Sequence, residues 1–371
     1  MNRALAAAAS TLPGHCYTSE ATYARERERI FDRSWLYVAR SEDIADAGAF
    51  VLLDSFGESI IVLRGDDGAA RAFYNVCRHR GARLCERETG HFAGAIVCPY
   101  HAWTFALDGS LAAARNMAGV PGFSKDDYPL EALAVEEYGG CIFLNFAAEA
   151  SARVAPRVTD YLAPLARKFE RWNLAGLRRA RRASYAVAAN WKLIAQNYSE
   201  CYHCPVVHPQ LDELSAWDSG SNDLEHGAIL GGPMRLRDAH ETMSTSGAGG
   251  RAPLGTVDAD DLRRVYYYSL FPTLLLSLHP DYVMLHRIVP LGVANSIVHC
   301  EWLFAPEAIA APGFDPSDVV AFWELTNRQD WHVCELSQSG IASRAYKPGP
   351  YSGYESMLAA YDDHYRAVME L

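Results

Sequence analysis

Two short segments in the first third of the chain each pair a cysteine with a histidine. Cys77 and His79 form a Cys-x-His motif, and Cys98 and His101 form a Cys-x-x-His motif after 18 intervening residues. Zinc also binds two thiolates and two imidazoles, but zinc sites usually pair Cys with Cys and His with His. One thiolate and one imidazole on each of two loops instead favour a two-iron two-sulfur cluster, with one thiolate-bound and one imidazole-bound iron.

A second group of metal-ligand residues lies near the middle of the chain, where Glu200 is followed by His203 and His208. Two imidazoles and one carboxylate, with positions left open for O2 and substrate, form the ligand set of non-haem iron(II) oxygenases. On a continuous helix His203 and His208 would point about 140° apart. Because Pro205 cannot continue a helix, we expect His203 on the last helical turn, with Glu200 on the same face, and His208 on the following loop.

Residue chemistry alone leaves the carboxylate ligand of this second site open. The candidate acids are Glu200, Asp212, Glu213, Glu324, Asp330 and Glu335. Of these, Glu200 and Asp330 are the strongest. The neighbouring Cys201 and Cys204 are interpreted as packing residues, because other cysteines already account for the cluster.

The composition is that of a globular protein with about two domains. The chain has 371 residues, of which 50% are hydrophobic. Its formal net charge of −11 disfavours nucleic acid as a partner, and no apolar run approaches the roughly 20 residues of a membrane span. Nine cysteines at irregular spacings indicate thiols in a reducing compartment. We therefore expect a cytoplasmic protein, with residues 1–13 as a disordered or loosely helical leader and not a signal peptide.

Hydrophobic patterning and turn residues predict the elements of the first half of the chain. A helix is predicted over residues 18–35, with Thr18 as its cap. Residues 36–146 then contain short β-rich runs, with hairpin turns at Asp67-Gly68 and Asp108-Gly109. This part of the sequence predicts an all-β module that carries both Cys/His motifs.

The second half of the chain is predicted to mix helices with an antiparallel sheet. After a connector with a helix over 147–182, Asn190 is expected to cap a helix that runs to about Cys204. Residues 220–262 are rich in Gly, Asp and Ser and predict a long loop. Three antiparallel strands and a closing helix are predicted over Val265–Leu278, Tyr282–Pro290, Ser296–Phe304 and 316–340.

The first motif pair, Cys77–Ala82 and Cys98–Trp103, resembles the Rieske motif of the α subunits of ring-hydroxylating-type oxygenases. The segment Glu200-x-x-His203-x4-His208 resembles the acid-x-x-His-x4-His motif of that family, and Asn327–Trp331 resembles the segment that supplies a distant aspartate. The resemblance implies an α+β fold in three parts. These are an N-terminal segment (1–35) on the catalytic domain, an all-β Rieske domain (36–150) and a helix-grip catalytic domain (151–371).

The resemblance also implies roles for individual residues. The two-iron two-sulfur cluster would be held by Cys77, His79, Cys98 and His101, and the mononuclear Fe(II) by His203, His208 and Asp330. Glu200 would be the catalytic bridge that links His203 to His101 of an adjacent chain. In this family the two metals of one subunit are too far apart for fast electron transfer, so the resemblance implies a ring of subunits, expected to be a homotrimer.

The activity implied is that of a terminal oxygenase, which uses O2 and electrons from a separate NAD(P)H-dependent flavin and iron-sulfur reductase to hydroxylate a C–H bond. Glu at position 200, where many ring-hydroxylating enzymes have Asp, resembles the choline, glycine betaine and carnitine monooxygenases. A small quaternary ammonium substrate is therefore expected, with Tyr202, Trp217, Tyr266, Tyr267 and Tyr268 as candidate walls of an aromatic box. The alternatives are hydroxylation of an aromatic acid and a Rieske ferredoxin-type electron carrier, which would need only about 110 residues.

Overall fold

The computed structural model describes residues 5–6, 9–146 and 156–371. These form two compact units, one over Phe31–Leu162 and one over Ala163–Leu371 together with the N-terminal residues up to Ile30. The predicted domain boundaries after residues 35 and 150 stay predictions, and the second of them lies outside the described residues. Within the described residues, no helix combines the length and apolarity needed to cross a membrane.

The N-terminal residues form two short helices, α1 (His15–Thr18) and α2 (Glu20–Arg29). The hydroxyl of Ser19 accepts a hydrogen bond from the backbone N–H of Thr22, so Ser19 caps α2. The prediction of one helix over 18–35 capped by Thr18 is therefore wrong. Part of the predicted leader lies outside the described residues, and the rest is ordered, since Ser10 forms a β-bridge with Pro350.

The unit Phe31–Leu162 is the expected all-β module. Its strands are β1 (Leu36–Arg40), β2 (Ala49–Ser55), β3 (Glu58–Arg64), β4 (Ala70–Tyr74), β5 (Thr89–His91), β6 (Ala95–Val97), β7 (Thr104–Ala106), β8 (Leu111–Ala113), β9 (Ala132–Tyr138) and β10 (Cys141–Asn145). They form a seven-stranded sheet in the order β1-β10-β9-β4-β3-β2-β5 and a three-stranded sheet in the order β6-β7-β8. Gly68 and Gly109 adopt positive φ at the two predicted hairpin turns.

In the second unit, a six-stranded antiparallel sheet is surrounded by helices. With α3 (Val158–Tyr161) belonging to the first unit, the remaining elements are α4 (Ala166–Arg171), β11 (Arg178–Val187), α5 (Trp191–Tyr198), α6 (Cys204–Val207), α7 (Pro209–Leu214), β12 (Ile229–Arg235), β13 (Arg264–Leu270), β14 (Leu274–Leu278), β15 (Val283–Pro290), β16 (Ser296–Phe304), α8 (Pro306–Ala310), α9 (Ser317–Ile341) and α10 (Ser356–Met369). The strand order is β11-β16-β15-β14-β13-β12. The α+β fold class is confirmed.

Two details of this sheet differ from the prediction. Val265–Leu278 is a hairpin of β13 and β14, because Pro272 lies in the turn and has no N–H for a strand ladder. The predicted loop 220–262 contains β12, which pairs with β13. Because glycine has a low strand propensity, Gly231 led to the prediction of a loop in this segment. A Cβ at this position would lie 2.0 Å from the backbone oxygen of Tyr267, so only glycine fits this close pairing.

A buried ion pair anchors α5, the helix that leads into the second metal motif. The Nζ of Lys192 lies 2.6 Å from Oε1 of Glu26, and both side chains are fully buried. Trp191 Nε1 and the hydroxyl of Tyr365 donate to the same carboxylate. Because every charge is paired and hydrogen-bonded, the cluster ties α2 and α10 to the first turn of α5.

Candidate metal centres and active-site cavity

The four Cys and His residues of the first motif pair converge on two loops of the β module. Cys77 and His79 follow β4, and Cys98 and His101 lie between β6 and β7. Both cysteines are buried, and burial together with the neighbouring Cys98 thiol raises the pKa of Cys77. The imidazole rings of His79 and His101 are 4.7 Å apart between centroids. The fold thus brings two thiols and two imidazoles to one place.

The chemistry of this donor set fits an iron-sulfur cluster. The Nδ1 atom of His79 is buried and, within the part of the chain that is described, has no hydrogen-bond partner. A buried polar atom without a partner is costly, and coordination to a metal removes that cost. The ring stacks face to face on Trp103 with centroids 4.7 Å apart, which holds Nδ1 in place.

The second metal motif forms a compact group of three side chains. One ligand atom from each of His203, His208 and Asp330 lies within 4.8 Å of the others. The Oδ1 atom of Asp330 is 3.3 Å from Nε2 of His203 and 2.8 Å from Nε2 of His208. His203 precedes α6, His208 lies between α6 and α7, and Asp330 comes from the middle of α9. Two imidazoles and a carboxylate on one side leave other directions open for ligands.

The outer nitrogen of each imidazole is held by a second side chain. Nδ1 of His203 lies 2.5 Å from Oε1 of Glu200, and Nδ1 of His208 lies 2.8 Å from Oε1 of Gln329. Each Nδ1–H donates to these oxygens, which directs both Nε2 atoms toward Asp330. Sequence reasoning missed Gln329, although a histidine ligand needs an acceptor for its other nitrogen and Gln329 directly precedes Asp330.

Electrostatics in this group favour a shared proton or a cation. Burial alone would lower the pKa of His203, but hydrogen bonds to Asp330 and Glu200 outweigh it and raise the pKa to about 10. Burial would raise the pKa of Asp330, yet the two histidines lower it. The site therefore stabilises positive charge between the imidazoles and the carboxylate, as a metal-binding site requires.

The local backbone around His203 differs from the prediction. Helix α5 ends at Tyr198, and Pro205 lies in the first turn of the new helix α6, where its missing N–H costs no hydrogen bond. Glu200 is thus not on a helical face shared with His203. It reaches His203 because its other oxygen, Oε2, accepts from the backbone N–H groups of Tyr202 and His203, which closes a tight turn.

Cys201 and Cys204 form a disulfide across this turn, so the predictions that they are packing residues and that they are thiols are both wrong. The crosslink encloses Tyr202 and His203. The Cys-x-x-Cys spacing is compatible with such a bond, and the turn after α5 brings the two sulfur atoms together.

A cavity of about 130 Å³ opens beside the three-residue group, and three aromatic rings form one wall. The ring of Tyr354 lies 6.1 Å from Tyr202 and 4.8 Å from Trp217, and those two rings are 6.4 Å apart. We call Tyr202, Trp217 and Tyr354 the aromatic wall. Tyr354 was not predicted, since it lies on the loop before α10, more than 130 residues after Trp217 in the sequence.

The other predicted wall residues separate by strand alternation. Tyr267 of β13 lines the cavity, whereas Tyr266 and Tyr268 point to the opposite face of the sheet. There their hydroxyls donate to Asp261 and Asp223.

The remaining acids considered for the metal do not join the group, as two of them show. Asp212 accepts from Arg237, with 3.1 Å between Oδ1 and Nη2, and Glu335 accepts from the backbone N–H of Ala188. Glu200 and Asp330 are the acids that contact the histidines.

Comparisons with known proteins agree with this arrangement. Residues 34–124 match the Rieske [2Fe-2S] domain, and residues 174–371 match the ring hydroxylating alpha subunit (catalytic domain). The chain is 43% identical to the carnitine monooxygenase oxygenase subunit of Acinetobacter baumannii, over 91% of this chain and 86% of that one. It is 31% identical to the glycine betaine monooxygenase oxygenase subunit of Pseudomonas aeruginosa, over 97% of this chain and 89% of that one.

A solved structure shares the whole architecture. A quaternary ammonium Rieske monooxygenase, whose structure was described for carnitine oxidation by gut microbiota and inter-subunit electron transfer, matches with a TM-score of 0.82 and 29% identity. The match covers 98% of this chain and 96% of that chain.

Proposed function

The chain belongs to the family of Rieske oxygenase α subunits, and we propose that it is a terminal monooxygenase component that hydroxylates a carbon next to the nitrogen of a small quaternary ammonium compound. As an oxidoreductase of this family it uses a Rieske [2Fe-2S] cluster and a mononuclear non-haem iron. The observation that carries the substrate assignment is the aromatic wall of Tyr202, Trp217 and Tyr354 beside the three-residue metal group.

An aromatic wall suits a quaternary ammonium group for electrostatic reasons. The faces of Tyr and Trp rings carry partial negative charge, and a trimethylammonium group has no N–H with which to form a salt bridge or hydrogen bond. Tyr202 directly precedes His203, so the wall adjoins the proposed metal ligands. Proteins named for carnitine and glycine betaine are among the relatives of this chain, and this supports the same substrate class here.

We assign the two metals to the residues that the fold groups together. Cys77, His79, Cys98 and His101 would hold the cluster, which supplies electrons one at a time. His203, His208 and Asp330 would hold the iron, which supplies O2 activation when bound. Gln329 keeps His208 in the orientation that presents Nε2.

Glu200 is proposed as the bridge for electrons between neighbouring chains of a homotrimer. Its Oε1 already accepts from Nδ1 of His203, and a carboxylate oxygen has a second lone pair for another N–H. We propose that His101 of an adjacent chain supplies that N–H. Support comes from the similar quaternary ammonium Rieske monooxygenase whose structure was described in terms of inter-subunit electron transfer. A separate NAD(P)H-dependent flavin and iron-sulfur reductase is the proposed electron source.

Product analysis tests this function. With reductase, NADH and O2, hydroxylation of an N-methyl carbon should release formaldehyde and a demethylated amine. Hydroxylation of the longer substituent at its carbon next to nitrogen should release trimethylamine and an aldehyde together, because the carbon–nitrogen bond breaks. The panel should include choline, glycine betaine, carnitine and several aromatic acids. A diol or phenol from an aromatic acid, with no product from any quaternary amine, would instead establish ring hydroxylation.

A further inference from the structure

We propose that the substrate carries no carboxylate and that the end remote from its ammonium group is a neutral polar group, such as a hydroxyl or a carbonyl. This inference rests on the proposed function and narrows it. The relatives named for carnitine and glycine betaine act on compounds that bear a carboxylate, so the proposal separates this chain from them.

The charge of the cavity disfavours a substrate carboxylate. Among the described residues that line it there is no lysine or arginine, and the acids are Glu200, Asp218 and Asp330. Asp330 is paired with the two histidines, but Asp218 is exposed and lies directly beside Trp217 of the aromatic wall. An acid at this position attracts an ammonium group and repels a carboxylate. A carboxylate in such a cavity would lose water without gaining a lysine or arginine partner, and the proposed iron is already paired with Asp330.

Arginine side chains of neighbouring segments form ion pairs with other acids. Arg237 pairs with Asp212, and Arg251 forms a fork on Asp318. Strand β12 contributes Gly232 and Met234 to the active-site cavity, but Arg235 at its end lines a separate cavity with Lys168. These contacts leave the cavity lining with no lysine or arginine side chain to anchor a carboxylate.

A neutral hydrogen-bond donor without a protein partner belongs to a residue of the cavity lining. Tyr267 lines the cavity, and its hydroxyl is buried and has no hydrogen-bond partner within the described residues. Burial raises the pKa of Tyr267 well above its usual value, so the phenol stays neutral. A buried donor without a partner is costly, and a hydroxyl or carbonyl oxygen on the substrate would satisfy it. Asn222 adds another neutral polar side chain to the lining.

The test compares substrates that differ in one charge. Glycine betaine and its methyl ester share one skeleton, and choline replaces the carboxylate by a hydroxyl group. The holoenzyme with its reductase should give kcat/KM for choline and the ester at least about tenfold above that for glycine betaine. Binding should follow the same order when it is measured by the fluorescence change of the tryptophans, without turnover.

Two variants locate the cause. Asp218→Asn should lower the ratio of kcat/KM for choline to kcat/KM for glycine betaine by about threefold, as expected for one exposed charge. The control Asp223→Asn removes an acid that lies outside this cavity and should leave the ratio unchanged. Tyr267→Phe should raise KM for choline by about fivefold, the effect of one neutral hydrogen bond. The KM for tetramethylammonium, which has no polar end, should stay unchanged in this variant.

The outcomes are distinct. A kcat/KM for glycine betaine or carnitine equal to or above that for choline and the ester would overturn this inference and leave the proposed function intact. An equal loss for choline and tetramethylammonium in Tyr267→Phe would overturn the role of Tyr267. Turnover of no quaternary amine would overturn the proposed function, and the inference with it.

Discussion

The two candidate metal centres differ in the histidine nitrogen that is left without a protein partner or directed to the proposed metal. At the cluster loops the buried atom without a partner is Nδ1 of His79, whereas at the iron group the Nε2 atoms of His203 and His208 face Asp330. At the iron group each Nδ1 is fixed by an acceptor, Glu200 or Gln329. If His79 bound the proposed cluster through Nδ1, its Nε2 atom would remain available for another contact. This difference suits a cluster that passes electrons outward and an iron that is held rigidly.

The two centres also differ in how much of the chain they need. All four proposed cluster ligands lie between positions 77 and 101, on two loops of one β module. The iron group combines a turn after α5 with a residue of α9, 122 residues after His208. The first centre is a local structure, and the second depends on helix packing.

The largest expected effect separates the two ligand sets. His203→Ala, His208→Ala or Asp330→Ala should each remove the mononuclear iron and reduce turnover at least about 1,000-fold, because the residues act as one ligand set. The visible spectrum of the cluster should stay unchanged. Metal analysis measures the iron content, and visible absorption measures the cluster. Asp212→Ala, which removes an acid bonded to Arg237, serves as the control. Full iron content in Asp330→Ala would require a different carboxylate ligand, with Glu200 first.

The next effect tests the proposed link between the centres. Glu200→Gln should retain both metals but slow turnover by about 10- to 100-fold, since an amide lacks the charge and one acceptor position of the carboxylate. In a single turnover the cluster should be reduced normally and then reoxidise slowly after substrate and O2 are added. Glu213→Gln, an exposed acid on α7, is the matched control. Normal reoxidation, or full activity in a monomer, would disprove the bridge.

A smaller effect is a proton linkage at the iron group. The folded pKa of His203 is about 10, above its ordinary value of 6.5. In the metal-free protein, protonated His203 stabilises the folded state through its contacts with Asp330 and Glu200. This contribution to the free energy of unfolding is complete below about pH 6.5 and is lost as the pH rises through 10. Below pH 10 a bound metal must displace the proton, so Fe(II) affinity should rise by up to about tenfold per pH unit. Anaerobic calorimetry in two buffers should detect about one proton released at pH 8, and no release would contradict the assignment.

The smallest expected effect concerns the cysteines, which serve different purposes in the two regions. Thiol titration of the unfolded protein without reductant should count seven thiols, because Cys201 and Cys204 are bonded. Cys201→Ser should lower the free energy of unfolding by about 2 kcal/mol, as expected for a very short loop, and keep the cluster colour. Cys98→Ser should lose that colour. Nine thiols in the titration would show that the crosslink is absent in solution.

Local features of the sequence were sufficient for much of the architecture. The turns at Gly68 and Gly109, the cap at Asn190 and the long helix α9 were predicted, because each depends on residues close together in the chain. The resemblance to Rieske oxygenase α subunits is confirmed by both matched domains. The ligand assignments themselves stay predictions, which the geometry supports.

Long-range packing determined what the sequence left open. From residue types alone, Glu200 and Asp330 were equal candidates for the metal, since a carboxylate three residues away and one far downstream have the same chemistry. The fold distinguishes them because α9 packs against α5 and presents Asp330 to both Nε2 atoms, while the turn at residues 200–203 directs Glu200 to Nδ1 of His203. Gln329 and Tyr354 join the site for the same reason. Their roles depend on which distant segment they face, and neither periodicity nor spacing encodes that contact.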